Sequence, residues 1–241
     1  MALGIQAKGH RDRNRMTPIL LRLAADTALV AVALFASAGT PSWWRGWILI
    51  GVMLLIRIPT AVVVHRVSPA LARERAKLPI HAGQPWVDKV LLIAVLITGF
   101  LGLPVVSGLD VFHWHILPRP HSIVEAVGLI VFAAGWAIKG VALKTNAFAT
   151  TVVRLQNERE HVVIDTGPYG VVRHPFYAGT PLVFIGMSLW LGSYAAAIGA
   201  VVPSALMTMR LQMEERFLRQ ELPGYTDYAA RVRHPLVPGI W

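Results

Sequence analysis

The sequence predicts an all-α integral membrane protein with four long membrane-spanning helices, a short C-terminal helical hairpin and a polar cap. Three observations predict it. Of 241 residues, 55% are hydrophobic and only 15% charged, where soluble domains carry about 25% charged residues. The mean hydropathy is +0.54. Apolar runs of about 20 residues, the length that crosses a bilayer core, recur along the chain, and the polar residues collect between and after them.

Residues 1 to 15 are polar and basic, with Lys8, Arg11, Arg13 and Arg15, and are expected to form a mobile tail. The first apolar run is Pro18 to Ser37, the second Trp47 to Val64, the third Val87 to Val106 and the fourth Ile123 to Leu143. Two shorter runs follow, Tyr177 to Leu191 and Ala195 to Met209, split by Gly192-Ser193-Tyr194. That tripeptide reads as a tight helical hairpin turn. Gly179 and Gly186 are seven apart on one face and suit close helix packing, within or between chains. The chain divides into spans at 1–145 and a mixed region at 146–241 holding the hairpin, 177–209.

Charge sets orientation. Lys and Arg number 23 against 13 Asp and Glu, a formal net charge of +10. In a soluble chain that excess points to nucleic acid. Here it points to cytoplasmic loops facing anionic headgroups, and no nucleic-acid partner is expected. The tail, the segment bearing Arg66, Arg73, Arg75 and Lys77, and everything after Lys144 are basic. Loops 38–46 and 107–121 carry only Arg45 and Arg119. The N-terminus and the C-terminal polar region should therefore be cytoplasmic. Trp43, Trp44 and Trp47 fit an outer interfacial belt. A cleaved signal peptide ending at Ala36-Ser37-Ala38 is disfavoured by its long apolar stretch and by Asp26.

Several polar residues have a structural reading. Ser122-Ile-Val-Glu125 matches a capping box at the start of the fourth span. Asp26 and Arg57 sit at matching depths in the first two spans and should pair, because an unpaired charge there is costly. His113, His115 and His121 share an outer loop, where interfacial histidines are a better reading than a metal site; none is expected. There is no cysteine, which excludes disulfides, thiolate metal sites and a Cys nucleophile. No Rossmann fingerprint, Walker A sequence, HExxH or serine nucleophile elbow occurs.

What remains is the region after Asn146. Its polar parts are residues 153–179, "VRLQNEREHVVIDTGPYGVVRHPFYAG", residues 210–218, "RLQMEERFL", and residues 222–241, "LPGYTDYAARVRHPLVPGIW". A hairpin over 177–209 returns both its ends to one membrane face. Arg173-His174-Pro175-Phe176-Tyr177 at its start then meets Arg210, Glu214 and Glu215 at its end. Gly167-Pro168 makes a turn that lets a ligand approach backbone, Pro175 stops the preceding segment from continuing as helix, and Tyr169 and Tyr177 offer rings and hydroxyls. Such a pocket suits a charged, aromatic-bearing cofactor meeting a lipid-borne partner.

"GPYGVVRHPFYAG", an apolar hairpin, "EERFL" and "GYTDYAARV" in this order resemble the isoprenylcysteine carboxyl methyltransferase family, whose wider relatives include phospholipid methyltransferases. The resemblance covers Asn146 to Trp241. It implies S-adenosyl-L-methionine as cofactor and a membrane-embedded site. Carried over by position, it implies cofactor contacts from Gln156, His161, Val162, Val163, Gly167, Tyr169, His174, Pro175, Tyr177 and Glu214. Arg210 and Arg173 become the candidate catalytic cations, and Arg210 and Glu215 the substrate side. Leu222-Pro223-Gly224-Tyr225 and Gly170 depart from the pattern of many members, which bears on lid shape and substrate fit. The implied partner is a lipophilic small molecule or lipidated substrate in membrane lipid. Carboxyl O-methylation of a prenylcysteine-like group is the first reading, and N-methylation of a phospholipid or lipophilic amine the alternative. A small transporter and a non-catalytic membrane module are the readings of another class.

Overall fold

The computed structural model describes residues 2–78, 80, 84–151, 156 and 159–239, with side chains from Met16 onward. The polar segments that begin at 153 and end at 241 thus lie partly outside the described residues, at 153–155, 157–158 and 240–241. The described chain is helical, without strands. Helix α1 is Ala2–Ala38, α2 Trp44–Val67, α3 Pro69–Ala76, α4 Trp86–Trp114, α5 Ser122–Thr145, α6 Pro175–Trp190, α7 Tyr194–Glu221 and α8 Tyr225–Arg231.

Five stretches are long and apolar enough to cross a bilayer: Met16–Ala38 of α1, then α2, α4, α5 and α7. The 24 residues of α2 or α5 rise about 36 Å, more than the roughly 30 Å hydrocarbon core. Two expectations change here. The N-terminal segment is helical from Ala2, because Arg, Lys, Gln and Ala favour helix and Pro18 forfeits only one bond of it. The hairpin is unequal: α6 has 16 residues, but its second limb runs on through the polar Arg210–Glu221 to reach 28. That limb keeps going because its polar end is rich in Arg, Glu, Gln, Leu and Met, all good helix formers.

Helix α4 is not uniform. Leu96–Gly102 and Asp110–Trp114 widen into π-helical turns. Pro104 has no N–H and its ring crowds the carbonyl of Phe100, and Leu103 N–H bonds back five residues to the Thr98 carbonyl. The second π turn ends at His115, whose φ of +52° terminates it.

Short connections make successive spans antiparallel, so one end of the bundle collects residues 39–43, 115–121 and 191–193. Buried polar bonds close this end. Glu125 takes Arg45 Nη2 at 2.5 Å and Arg119 Nε at 2.9 Å. Arg45 Nη1 reaches the Trp190 carbonyl at 3.1 Å, and Trp190 Nε1 the Arg45 carbonyl at 2.9 Å. Ser193 caps α7 through Ala196 N–H and donates to Asp110 Oδ2 at 2.6 Å. The capping box is thus corrected: His121 Nδ1 caps α5, and Glu125 is drawn instead to two guanidiniums. Trp43 is also corrected from belt to core, edge-on to Phe112, while Trp44 and Trp47 are exposed.

The tightest contact joins α5 to α6. A Cβ on Gly135 would lie 2.7 Å from the Gly179 carbonyl oxygen, and one on Gly186 2.6 Å from that of Gly128. Two glycines seven apart on each helix let the backbones touch. The closeness that Gly179 and Gly186 announce is therefore within the chain. This pairing sets α6, and with it His174 and Tyr177, against the C-terminal half of α5. The main apolar cluster, around Leu34, Phe132, Val183, Phe184 and Leu191, draws on α1, α5 and α6 together.

Candidate functional site

The opposite end of the bundle holds α3, the described residues of the connection 146–174, the far end of α7, and α8 with residues 232–239 after it. A cavity of about 440 Å³ lies under these elements and continues between the spans. Tyr169, His174, Tyr177, Arg210 and Glu214 line its polar end, while Leu29, Val95, Ile97 and Phe100 line its apolar reach. Leu29 of α1 and Ile97 of α4 line it and are exposed.

Two networks organise the polar end. In the first, α4 is tied to α7 by Asp88 Oδ1, fully buried, which accepts from Arg210 Nε at 2.7 Å. Arg210 Nη1 donates to the Tyr177 hydroxyl at 2.9 Å and Nη2 to the Thr151 carbonyl at 2.7 Å. The Tyr177 hydroxyl in turn donates to Glu214 Oε2. Pro at the first position of α6, where no intrahelical partner is lost, fixes the turn that aims Tyr177 at α7. No ion pair to Glu214 occurs among the described residues. Its carboxylate is held by a phenol and retains capacity for a cation.

The second network braces the C-terminal chain. Glu215 accepts from His174 Nε2 at 2.7 Å, Arg173 Nε at 3.0 Å, Arg219 Nη2 at 2.9 Å and the Tyr225 hydroxyl at 3.1 Å. Arg173 Nη1 bonds the Val232 and Arg233 carbonyls at 2.7 and 2.8 Å. The Arg173 and His174 amides bond the His234 and Pro235 carbonyls at 3.0 and 2.9 Å. Tyr228 donates to the Tyr169 carbonyl at 2.7 Å and closes the cap. Burial pushes the Tyr169 and Tyr228 phenols above their ordinary range. It does the same to Tyr225, aided by the Glu215 carboxylate beside it. All three stay neutral donors at physiological pH.

Of the residues singled out in the sequence, His161, Val162, Val163, Tyr169, Arg173, His174, Tyr177, Arg210 and Glu214 share the cavity wall. Gln156, Gly167, Pro175 and Glu215 stand behind it. Gln156 is buried and holds the connection together, donating to the Phe148 carbonyl at 2.8 Å and accepting from Arg159 at 2.5 Å. Gly167 adopts φ +56°, a turn conformation that favours glycine. The donors of Arg173 are directed into the C-terminal brace.

Asp88 and Lys139 were not singled out in the sequence, and Arg75 served there for orientation alone. Lys139 is 4% exposed, lines the cavity, and donates to Thr180 Oγ1 at 2.6 Å with its ammonium 3.7 Å above the Phe176 ring. Arg75 lies 4.7 Å over the same ring and donates to the Ala149 carbonyl at 2.8 Å. Burial lowers it to about 10, so it remains a cation at neutral pH. The signal for Asp88 and Lys139 was available: each is a charge inside an apolar run, as Asp26 and Arg57 are. Those two pair at 2.8 Å, as their depths required. His113 contacts the Ser37 carbonyl and His121 is a cap. Among the described residues no acid–histidine cluster has metal-binding geometry.

Residues 123–223 match the family described as phospholipid methyltransferase. Protein-S-isoprenylcysteine O-methyltransferase B of Arabidopsis thaliana is 28% identical over 117 residues, 47% of this chain and 59% of that one. A probable protein-S-isoprenylcysteine O-methyltransferase of Oryza sativa subsp. indica is 31% identical over 121 residues, 49% of this chain and 63% of that one. The chain thus aligns with about three fifths of the length of these relatives. A solved eukaryotic intramembrane Ras methyltransferase, isoprenylcysteine carboxyl methyltransferase, superposes on all of this chain and 87% of its own, with TM-score 0.55 and 19% identity. The chain is thus a helical membrane protein similar in sequence, over residues 123–223, to the phospholipid methyltransferase family, and similar in fold to isoprenylcysteine carboxyl methyltransferase.

Proposed function

We propose that the protein is an S-adenosylmethionine-dependent methyltransferase acting on a membrane-associated lipophilic acceptor. The observation that carries this reading is Glu214, a carboxylate with no ion pair among the described residues, held by Tyr177 in a cavity that runs from a polar end to an apolar reach between the spans. S-adenosylmethionine, when bound, supplies a methyl group already activated by its sulfonium, so the protein's task is binding and alignment.

The residues fit that cofactor. Glu214 suits its ammonium or ribose hydroxyls. The 146–174 connection brings His161, stacked 4.5 Å from Phe148, together with Val163 and Tyr169 to the same wall as flat and apolar surface. Arg210, fixed by Asp88, holds Tyr177 and hence Glu214 in place. The Glu215 brace keeps the C-terminal chain over the cavity and excludes water. Aligning acceptor and methyl in such an enclosure supplies several kcal/mol of the barrier. Carboxyl O-methylation of a prenylcysteine-like group is the first choice, as the activity named for the relatives. The phospholipid methyltransferase family match favours a second reading, N-methylation of a phospholipid amine.

The basic end that holds the cavity is assigned to the cytoplasm with the N-terminus. The deciding experiment is calorimetric titration of S-adenosylmethionine into detergent-purified chain, native and Glu214→Gln. The expected result is binding that weakens about tenfold or more in the variant, the scale of one charged hydrogen bond. No binding by the native chain across several detergents overturns the enzyme reading in favour of a transporter or a partner-binding module.

A further inference from the structure

The cations around the cavity are not equally provided for. Arg22 and Arg57 both pair with Asp26, at 3.0 and 2.8 Å. Arg173 pairs with Glu215 and Arg210 with Asp88. Arg75 and Lys139 have no carboxylate among the described residues. They come from different elements, α3 and α5, yet share one ring, Phe176, and one cavity. Beside them, Trp136 also lines the cavity, and its Nε1–H is buried without an acceptor among the described residues. Lys139 Nζ is 5.9 Å from the Trp136 ring centre.

Burying a cation without a counter-charge is costly, and leaving an indole donor unsatisfied adds to the cost. A cation over an aromatic face recovers only part of it. Two such cations and a spare donor around one chamber are therefore best accounted for by an anion that enters it. The chamber continues into the apolar reach, so the anion's carrier has a hydrophobic tail.

We propose that Arg75, Lys139 and Trp136 form an oxyanion subsite that receives the charged group of a lipophilic acceptor, separate from the Arg210–Tyr177–Glu214 network. The proposal builds on the methyl-transfer reading, in which the anion belongs to the acceptor. A carboxylate held here is itself the group to be methylated. A lipid phosphate held here anchors an acceptor whose methylated atom lies elsewhere on the headgroup.

The test titrates tryptophan fluorescence of the detergent-purified full chain with three probes: palmitate, methyl palmitate, and dioleoyl phosphatidate. The native chain is expected to bind at least one anionic probe about tenfold more tightly than the neutral ester, the worth of a charged hydrogen bond. Tighter palmitate points to a carboxylate acceptor, tighter phosphatidate to a phospholipid. Lys139→Met and Arg75→Gln should each reduce the preference, and Lys139→Arg should retain it. Arg75 lies on the surface helix α3, so its variant carries the test if Lys139→Met does not fold. A preference unchanged in the variants, or absent from the native chain, overturns the subsite. S-adenosylmethionine calorimetry on the same samples separates the two readings. Cofactor binding without anion preference sinks the subsite alone, and anion preference without cofactor binding sinks the methyltransferase and leaves the subsite standing.

Discussion

Glu214 and Glu215 are neighbours with different tasks, and the difference lies in their partners. Glu215 is surrounded by Arg173, His174, Arg219 and Tyr225, while Glu214 has a phenol. Glu215→Gln should therefore loosen the C-terminal chain, seen as faster proteolysis after Leu222 and a lower Tm, whereas Glu214→Gln should lower cofactor affinity with little change in Tm. Equal loss of Tm in both would contradict the division. The raised phenols Tyr169, Tyr225 and Tyr228 add a pH dependence. Their folded pKa lies above the unfolded value of about 10, so their contribution is whole below about pH 10 and is lost as pH rises beyond it. In an alkaline titration followed by phenolate absorbance, no more than two of the five tyrosines should ionise before helix content falls.

At the scale of elements, the pairing of α5 with α6 places residues 166–179. Because a Cβ on Gly179 would sit 2.6 Å from the Gly135 carbonyl oxygen, Gly179→Val must push the helices apart. The expected cost is about 1–3 kcal/mol or more, read as a fall in Tm, and Tyr177 should lose its alignment with Arg210. A variant with native Tm and native cofactor affinity would show that the contact is dispensable. Asp88 does similar work between α4 and α7. Asp88→Asn leaves Arg210 buried without a counter-charge, a change that costs about 3–5 kcal/mol in buried pairs; retained stability in a detergent melt would argue against it.

For the whole molecule, the bundle has two differently closed ends. At one, Arg45 in the first turn of α2 and Arg119 in the α4–α5 connection are both consumed by Glu125. At the other, the cations outnumber the acids and surround the cavity. This asymmetry supports the cytoplasmic assignment of the basic end. The absence of cysteine makes it directly measurable. Thr40→Cys and Arg231→Cys, labelled in intact cells with an impermeant maleimide, should react and not react respectively; the reverse pattern inverts the topology.

The sequence by itself determined the membrane class, the positions of the first four spans, the hairpin turn at Gly192-Ser193 and the Asp26–Arg57 pair. These follow from run length, hydropathy and the cost of a lone charge in lipid, all local or one-dimensional quantities. It also gathered the polar end of the cavity in advance, because Tyr177 and Glu214 stand at the two ends of one hairpin. Only the tertiary structure decided which polar residue serves which partner. Ser122 and Glu125 have the spacing of a cap, yet Arg45, eighty positions away, outcompetes the backbone for Glu125. Arg173 and Arg75 are equally basic on paper; packing gave one a carboxylate and left the other facing a cavity. Charge pairing depends on distances between helices, and the order of residues along a chain does not contain them.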